Sequence, residues 1–378
     1  MIYLDNAATT PILQEALEVY NEYSKNQFFN ASAKYSKAVE ISSKIEKAKK
    51  TIARALGVNE NSKIIFTSSA TESNNLAILG CIKSNFKKLV FSYAEHASVK
   101  NVAQELTNKG YTIEFIPLQR NGEINYEKLE EILDKNTGFI STIHISNETG
   151  AINDLKRINE IRKKKCPNAI FHADGVQAFS KIKINLKYFG VDLYTISGHK
   201  MFGPKGISAL YVGDNINIKP IMYGGGQEFG IRSGTENAPC ILAFEKAVEL
   251  IGNINANYEY VRNLKNIFLE NLQEVPYKLN SGDNCSPYII SISFPEVKGE
   301  TLLHMLEQYD IFVSTSSACS SKKAGNAVLE AMGLSNSEAI SSLRISFSKF
   351  NTAEEAIICA TKIKECYFKL REILKWIM

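Results

Sequence analysis

The chain has 378 residues, 44% of them apolar and 22% charged, with a formal net charge of +4. This length is enough for two domains or one large one, and so small a net charge gives no ground for expecting nucleic-acid binding. No apolar run approaches the ~20 residues of a membrane span, and the first six residues lack the basic and apolar regions of a signal peptide. We therefore expect a cytoplasmic protein that binds neither membranes nor nucleic acids directly.

A helical pattern over 38–56 is followed by short apolar runs that alternate with further helical patterns. We predict strands over 63–67, 89–93, 112–118, 139–145, 170–173, 193–196 and 208–212. Between them we predict helices over 72–84, 98–109 and 152–164, with Gly57 and Gly110 at helix C-termini. Because these strands are apolar on both faces and helices separate them, they indicate a mainly parallel sheet that is covered on both sides.

The pattern changes near residue 250, where we place a domain boundary. A helix over 258–272 is followed by short strands at 288–294, 311–314 and 343–347. Helices are predicted near 300–306, 324–332 and 353–374. This alternation is typical of a compact α+β unit.

Seven cysteines are spread over the chain, at positions 81, 166, 240, 285, 319, 359 and 366. Their odd number and the absence of a CxxC pair argue against a disulfide framework and a thiol-rich zinc site. A reducing cytosol fits this pattern, and we expect no resident metal. Cys81, Cys359 and Cys366 lie at apolar positions of helical segments, so we predict that they are buried.

The stretch from 172 to 206 is the richest in chemically informative residues. Its candidate ligands are Asp174, Gln177, Ser197, His199 and Lys200. Pyridoxal phosphate needs a lysine amine for a Schiff base, a carboxylate at its pyridine nitrogen and donors for its phosphate. All three occur here, in an order that a strand–loop–strand unit can bring to one pocket. The stretch therefore predicts a pyridoxal phosphate site; the alternative is a surface lysine that happens to follow a strand.

Further candidates follow predicted strands, where the ligands of open α/β sheets bind. The segment 68–72 opens a helix, so its N–H groups and the Thr71 hydroxyl could hold a phosphate, or Ser69 or Thr71 could simply cap the helix. His96 could stack on a flat ring or be an ordinary loop histidine. Asn147 could bind a phenolic oxygen or a carboxylate, or stabilise a turn.

Two candidates lie late in the chain. Cys319 occurs in a run of small residues after a predicted strand, and the lysines at 322 and 323 would favour its thiolate. It could be a nucleophile on an exposed loop or a spare surface cysteine. Arg344 could hold a substrate carboxylate through a bidentate fork or make a structural ion pair.

The chain, with Lys200, Cys319 and Arg344 in these positions, resembles the cysteine desulfurases of the NifS/IscS group, in the class V aminotransferase family. The resemblance begins at YLDNAATTP, residues 3–11, and runs through Arg344. It implies the α/β fold type I of pyridoxal phosphate enzymes, with a mainly parallel seven-stranded sheet in a large domain over 15–250. A small α+β domain, formed by 1–14 and 251–378, would carry the Cys319 loop.

The resemblance also implies the roles of individual residues. Lys200, Cys319 and His96 would be catalytic. The implied cofactor-binding residues are Ala70, Thr71, His96, Asn147, Asp174, Gln177, Ser197, His199, Lys200 and Thr235. Thr235 would reach the cofactor of the partner subunit in a homodimer. The implied substrate-binding residues are Asn30, Asn147 and Arg344.

The implied reaction converts L-cysteine to L-alanine: Lys200 moves the α-proton, and Cys319 attacks the substrate sulfur and keeps it as a persulfide. A sulfur-acceptor protein would then receive it, either an iron–sulfur scaffold or a tRNA-thiolating enzyme. In the first case Cys319 could also be a transient ligand of a cluster iron. The alternatives are a selenocysteine lyase, another class V aminotransferase, or a scaffold without catalysis.

The chain departs from the family pattern at four places. It reads NASAKY over 30–35 where Asn-Pro-x-Ser-x-His is usual, and Ser316 stands where glycine is usual. Phe229 and Lys349 replace common arginines. None of these positions is the Schiff-base lysine, the ring carboxylate or the nucleophile.

Overall fold

The computed structural model describes residues 1–82, 85–315 and 327–377. The strands are β1 (Ile2–Tyr3), β2 (Lys63–Thr67), β3 (Lys88–Ser92), β4 (Thr112–Ile116), β5 (Thr137–Ile143), β6 (Ile170–Asp174), β7 (Leu193–Ser197), β8 (Ser208–Val212), β9 (Lys278–Leu279), β10 (Ile289–Ser293), β11 (Ile311–Phe312) and β12 (Ser342–Ser346). The α-helices are α1 (Gln14–Lys25), α2 (Ser36–Ala55), α3 (Ala70–Cys81), α4 (Ala97–Asn108), α5 (Tyr126–Ile132), α6 (Leu155–Lys165), α7 (Leu186–Phe189), α8 (Ala238–Glu249), α9 (Ile254–Glu270), α10 (Gly299–Glu307), α11 (Ala327–Ala331), α12 (Asn336–Ile340) and α13 (Ala353–Ile377).

The central sheet has seven strands, in the order β4-β3-β5-β6-β7-β8-β2. Strands β4 to β7 along this order are parallel, and β8 is antiparallel to both of its neighbours. One face packs on α1, α2, α6 and α8, and the other packs on α3 and α4. This arrangement confirms the predicted mainly parallel, seven-stranded sheet with helices on both faces.

A second apolar cluster lies outside the central sheet. It joins Leu4 and Ala7 to α9, α10, α13 and the antiparallel sheet β12-β10-β9. Strand β1 pairs in parallel with β11, which fixes the N-terminal segment to this cluster. Residues of α11 and α12, such as Val328 and Leu329, pack instead with the cluster of the central sheet.

Most predicted elements occur within a few residues of their predicted bounds, but the helices α1, α5, α7, α8 and α12 and the short strands β1 and β9 were not predicted. The helix predicted from residue 152 begins only at Leu155. Ile152 pairs with Ile145 in an isolated bridge, and Asp154 caps the helix by accepting from the Arg157 N–H at 3.0 Å. This pairing holds residue 152 in extended backbone, so the helix starts after it.

Local expectations about glycines and cysteines are confirmed. Gly57 and Gly110 follow α2 and α4 with φ of +68° and +81°, the left-handed conformation that ends helices. Cys81, Cys359 and Cys366 are buried. In the described part of the chain, no helix combines the length and apolar character that a bilayer span requires.

Gly175 follows β6, and its environment leaves no room for a side chain. A Cβ atom there would stand 2.0 Å from the ring of Tyr194, which is fully buried and bonded through its hydroxyl to His144 Nδ1 at 2.7 Å. Gly175→Ala is therefore expected to lower the free energy of unfolding by about 1–3 kcal/mol, the usual cost of overpacking. Chemical denaturation measures this difference. The same substitution should cost clearly less in a Tyr194→Leu background, and an equal cost would contradict the clash.

Candidate active site

A cavity of about 350 Å³ lies beyond the carboxyl ends of β5, β6 and β7. The carboxyl ends of parallel strands are where ligands of such sheets bind. The predicted site residues that line it are Ala70, Thr71, His96, Asn147, Asp174, Gln177, His199, Lys200 and Arg344. Residues far apart in the chain thus form one wall, as the sequence indicated.

Asp174 is the last residue of β6 and is buried, with 3% of its surface exposed. Its Oδ2 accepts from Asn74 Nδ2 at 2.9 Å, and its Oδ1 accepts from the Val176 N–H at 3.0 Å. Among the described residues it makes no ion pair. A buried carboxylate that lines a cavity and makes no ion pair suits a positively charged ligand atom. The protonated nitrogen of pyridoxal phosphate is such an atom, so this part of the cavity fits the predicted cofactor.

His96 precedes α4 and caps it. Its Nδ1 accepts from the Ser98 N–H at 3.1 Å and lies 2.9 Å from Ser98 Oγ, which in turn accepts from Asn74 Nδ2. With Nδ1 used as an acceptor, the neutral ring carries its hydrogen on Nε2. Burial lowers the pKa of His96; the charge of Asp174 opposes this shift and that of Lys200 adds to it. The cavity is thus lined by a neutral, flat imidazole.

The start of α3 forms another part of the cavity wall. Ser69 caps this helix, accepting from the Glu72 N–H at 3.2 Å. The first N–H groups of a helix have no carbonyl partner within it, and here they belong to Ala70 and Thr71, which line the cavity. The cap and an anion site therefore coexist, and the latter suits a phosphate.

His199 also lines the cavity, with its Nδ1 3.1 Å from Thr9 Oγ1. Burial, with smaller effects from Lys200 and Lys205, lowers the pKa of His199 to about 4. The imidazole is therefore neutral at neutral pH and can donate one hydrogen bond to a bound anion.

Lys200 ends the short 3₁₀ turn that follows β7. Its Nζ donates to the carbonyls of Ala7 and Ala8, both at 2.7 Å. The N-terminal segment is held in place by the Thr10 N–H, which donates to the His199 carbonyl at 2.9 Å. Backbone carbonyls of the N-terminal segment thus position the amine at the wall of the cavity.

Arg344 lies on β12 and is buried, with 5% of its surface exposed. Its Nη2 donates to Asp5 Oδ1 at 2.9 Å, and its Nη1 donates to the Asn147 carbonyl at 3.1 Å. Its buried Nε has no hydrogen-bond partner among the described residues. Arg344 therefore makes the structural ion pair that was one of its two alternatives, and its role in binding a substrate carboxylate stays a prediction.

Three predicted residues do not line the cavity. Ser197 is buried beneath it, with its Oγ accepting from Ser208 Oγ at 3.0 Å. Thr235 lines a separate cavity of about 220 Å³. Asn30 is exposed, and its Oδ1 accepts from the Ser32 N–H at 2.9 Å.

Cys319 lies within 316–326, outside the described residues. The six cysteines of the described part are all buried and free of disulfides. Among the described residues, no three His, Cys, Asp or Glu side chains are grouped as ligands for a metal ion.

Sequence reasoning assigned no chemical role to several groups that the fold brings to the site. They are the Asp5 carboxylate, the Ala7 and Ala8 carbonyls and the Asn74 amide. Residues 3–11 were noted as a motif, and this was the available signal for the first three. Backbone carbonyls leave no side-chain signature, so their contact with Lys200 could not be read from residue types.

Comparisons with known proteins agree with this geometry. The family described as Aminotransferase class-V matches residues 2–357. Cysteine desulfurase IscS of Dictyoglomus turgidum is 35% identical over 380 residues, covering 98% of this chain and 96% of that protein. A solved NifS-like protein has a TM-score of 0.91 at 32% identity, covering 96% of this chain and 98% of its own. A structure titled "SspA in complex with cysteine" has a TM-score of 0.83 at 32% identity, covering 93% of this chain and 100% of its own.

The family match extends over both apolar clusters of the fold. The relatives are matched over almost their whole length, so the similarity is not confined to one domain. The chain belongs to the class-V aminotransferase family, within its NifS/IscS group of pyridoxal phosphate-dependent cysteine desulfurases.

Proposed function

We propose that the cavity of this chain converts L-cysteine to L-alanine and passes the sulfur to Cys319 as a persulfide. The observation that carries the proposal is that Arg344 lines the same cavity as Lys200 and keeps a buried Nε without a hydrogen-bond partner among the described residues. An amino-acid substrate brings a carboxylate that the guanidinium can bind. The complex with cysteine of the similar protein SspA supports the choice of substrate.

Most of the residues that would hold the cofactor line the cavity. Asp174 would pair with the ring nitrogen, and His96 would lie against the ring face. The ring oxygen would face Gln177 and Asn147. The phosphate would be held by Ala70, Thr71, His199 and Ser197, although the Ser197 side chain lies beneath the wall. Bound there, pyridoxal phosphate supplies an electron sink for the pair of electrons released at the substrate α-carbon.

Arg344 and Lys200 would have different roles toward the amino-acid substrate, which are binding and proton transfer. Arg344 binds the carboxylate, with Asn30 and Asn147 assisting, and so fixes the α-carbon relative to the amine. Lys200 takes the α-proton and returns a proton when the product forms, as a positioned general base and acid. Its Nζ already lies at the cavity wall, held by two carbonyls.

Cys319 would take the sulfur. Its thiolate attacks the sulfur of cysteine, the S–S bond forms as the C–S bond breaks, and the electron pair stays with the carbon, which takes up a proton to become alanine. Burial raises the pKa of Cys285 to about 11 and raises the pKa of Cys240 as well, so these buried thiols are poor nucleophiles. The assignment of Cys319 rests on its sequence context.

We also propose a homodimer in which Thr235 completes the partner subunit's phosphate site. Its distance from the cavity of its own chain supports this role, since Thr235 lines a different cavity. Ser32 Oγ lies 3.4 Å from Glu236 Oε2, so the segments of Asn30 and Thr235 meet on one surface. Thr235 would then act on the neighbouring site.

We further propose a large domain over 15–250 and a small domain formed by 1–14 and 251–378. The separate apolar clusters support this division, although α11 and α12 pack on the large domain. The absence of disulfides among the described cysteines suits the reducing cytoplasm. The acceptor would be an iron–sulfur scaffold or a tRNA-thiolation enzyme, and in the first case Cys319 could ligate a cluster iron transiently.

The test compares the wild type with Arg344→Lys, using L-cysteine and a thiol reductant and measuring alanine and sulfide. The wild type should release both in equal amounts. Arg344→Lys should raise the KM for cysteine by about 10- to 100-fold, because a bidentate charged donor is replaced by a single ammonium. The kcat should change much less, since the proton and sulfur steps do not use the guanidinium.

The matched control is Arg371→Lys. Arg371 lies on α13, pairs with Glu296 and does not line the cavity. The substitution should leave the KM unchanged. A keto acid in place of sulfide would indicate a transaminase, and no product from any amino acid would indicate a scaffold; both would overturn the proposal.

A further inference from the structure

Lys181 is a buried lysine behind the cavity that the proposed reaction does not use. The backbone turns after β6, where the Ala178 and Phe179 N–H groups both donate to the Gly175 carbonyl at 2.9 Å. Ser180 then takes a left-handed φ of 70°, and Lys181 follows with 6% of its surface exposed. Its Nζ donates to the side-chain oxygen of Gln177, four residues earlier.

This bond is one link in a chain that reaches Lys200. Gln177 Nε2 donates to the Ala7 carbonyl at 2.8 Å, and the same carbonyl accepts from Lys200 Nζ at 2.7 Å. A carbonyl can only accept, so it requires the nitrogen of the amide, and Oε1 is turned toward Lys181. The second hydrogen on Nε2 remains for the cavity, which Gln177 lines.

The charges around Lys181 have one sign. Among the described residues it makes no ion pair. Burial, together with the charges of Lys200 and Arg344, lowers the pKa of Lys181 to about 7. Lys349 lines the same small cavity of about 30 Å³ as Lys181 and Lys200. Burying an amine among cations is unfavourable. A lysine at this position therefore indicates an interaction that an apolar side chain could not make.

We propose that Lys181 is a positioning residue that holds the Gln177 amide with its nitrogen toward the cofactor, so that Gln177 donates to the ring oxygen. The inference rests on the proposed cofactor geometry and extends it to a residue outside the cavity wall. The donated hydrogen bond stabilises the negative charge of that oxygen. Lys181 acts in either protonation state, because an amine and an ammonium both donate.

The experiment is a spectrophotometric pH titration of the bound cofactor in the full-length enzyme, without substrate. In Lys181→Met the apolar side chain cannot donate to Gln177 Oε1, so the amide is no longer held with its nitrogen toward the cofactor. The ring oxygen of the cofactor then loses its donor, and the bound cofactor should keep its proton to higher pH. The midpoint is expected to rise by about one pH unit, the scale of a hydrogen bond to a charged group. Lys183→Met, at an exposed lysine two residues away, is the control and should not move the midpoint.

Two further variants separate positioning from charge. Gln177→Leu alone should raise the midpoint by a similar amount, and adding Lys181→Met to it should change little more. Lys181→Gln carries no charge but still donates, so its midpoint should stay close to that of the wild type, and it serves if Lys181→Met does not fold. A full shift from Lys181→Met in the Gln177→Leu background would overturn the positioning role.

An unchanged midpoint in Lys181→Met would also overturn it. Failure of the proposed cofactor geometry would look different, because the wild type itself would then show no pH-dependent cofactor band. The titration needs no turnover, so its outcome does not depend on which sulfur acceptor the enzyme serves.

Discussion

Lys200→Ala is expected to lower alanine formation from cysteine by about 10³- to 10⁴-fold, the range found when a positioned general base or acid is removed. The lysine would act twice, in bonding the cofactor and in moving the α-proton, and no other lysine lines the cavity among the described residues. Lys181, the nearby buried lysine, directs its nitrogen to Gln177 instead. Steady-state alanine release measures the effect.

Covalent attachment gives a second measurement on the same variant. After reduction with borohydride, the wild type should keep the cofactor through denaturation, whereas Lys200→Ala should release it. Lys205→Ala is the matched control, because Lys205 is an exposed lysine of the same loop. Retention of covalent cofactor in Lys200→Ala would assign the bond to another lysine and contradict the site.

Cys319→Ala is expected to abolish sulfide release, with a loss of about 10³-fold or more, because the nucleophile itself is removed. Cofactor binding should be unchanged, since no cofactor contact is assigned to Cys319. A mixture of cysteine and wild-type enzyme without reductant should yield about one alanine per active site and a persulfide. The variant should yield neither.

The control for this variant is Cys285→Ala. Cys285 is buried and its Sγ lies 3.7 Å from the Asn121 carbonyl, so its removal affects packing and not sulfur chemistry. Equal sulfide release by Cys319→Ala and the wild type would reject the persulfide step and favour direct elimination from the substrate.

Short elements with sharp boundaries were predictable from the sequence. Strands β2 and β8 match their predictions to the residue, because turn-forming residues flank each short apolar run. Helix α8 was missed, since its residues from Ala238 to Val248 are almost all buried and its first two turns are apolar on every side. The amphipathic pattern of such a helix is weak, and its packing against α1 and α2 reveals it.

The site was predictable to the extent that its chemistry resides in unusual side chains. Asp174 and Lys200 stand out by residue type, and the sheet topology brings both to one edge. The ion pair of Arg344 with Asp5 was not foreseeable, since it spans almost the whole chain. The role of Lys181 was hidden for another reason: a lysine in a turn is usually exposed, and only the fold shows this one buried.

The contact of Asp5 and the Ala7 carbonyl with groups on β12 and after β7 bears on how the protein is made. Asp5 and Arg344 are 339 positions apart, so Asp5 is synthesised long before its partner exists. The central sheet can form during translation before Arg344 has left the ribosome, and the cavity then lacks one wall. A cavity with all of its walls is therefore expected only after Arg344 has emerged.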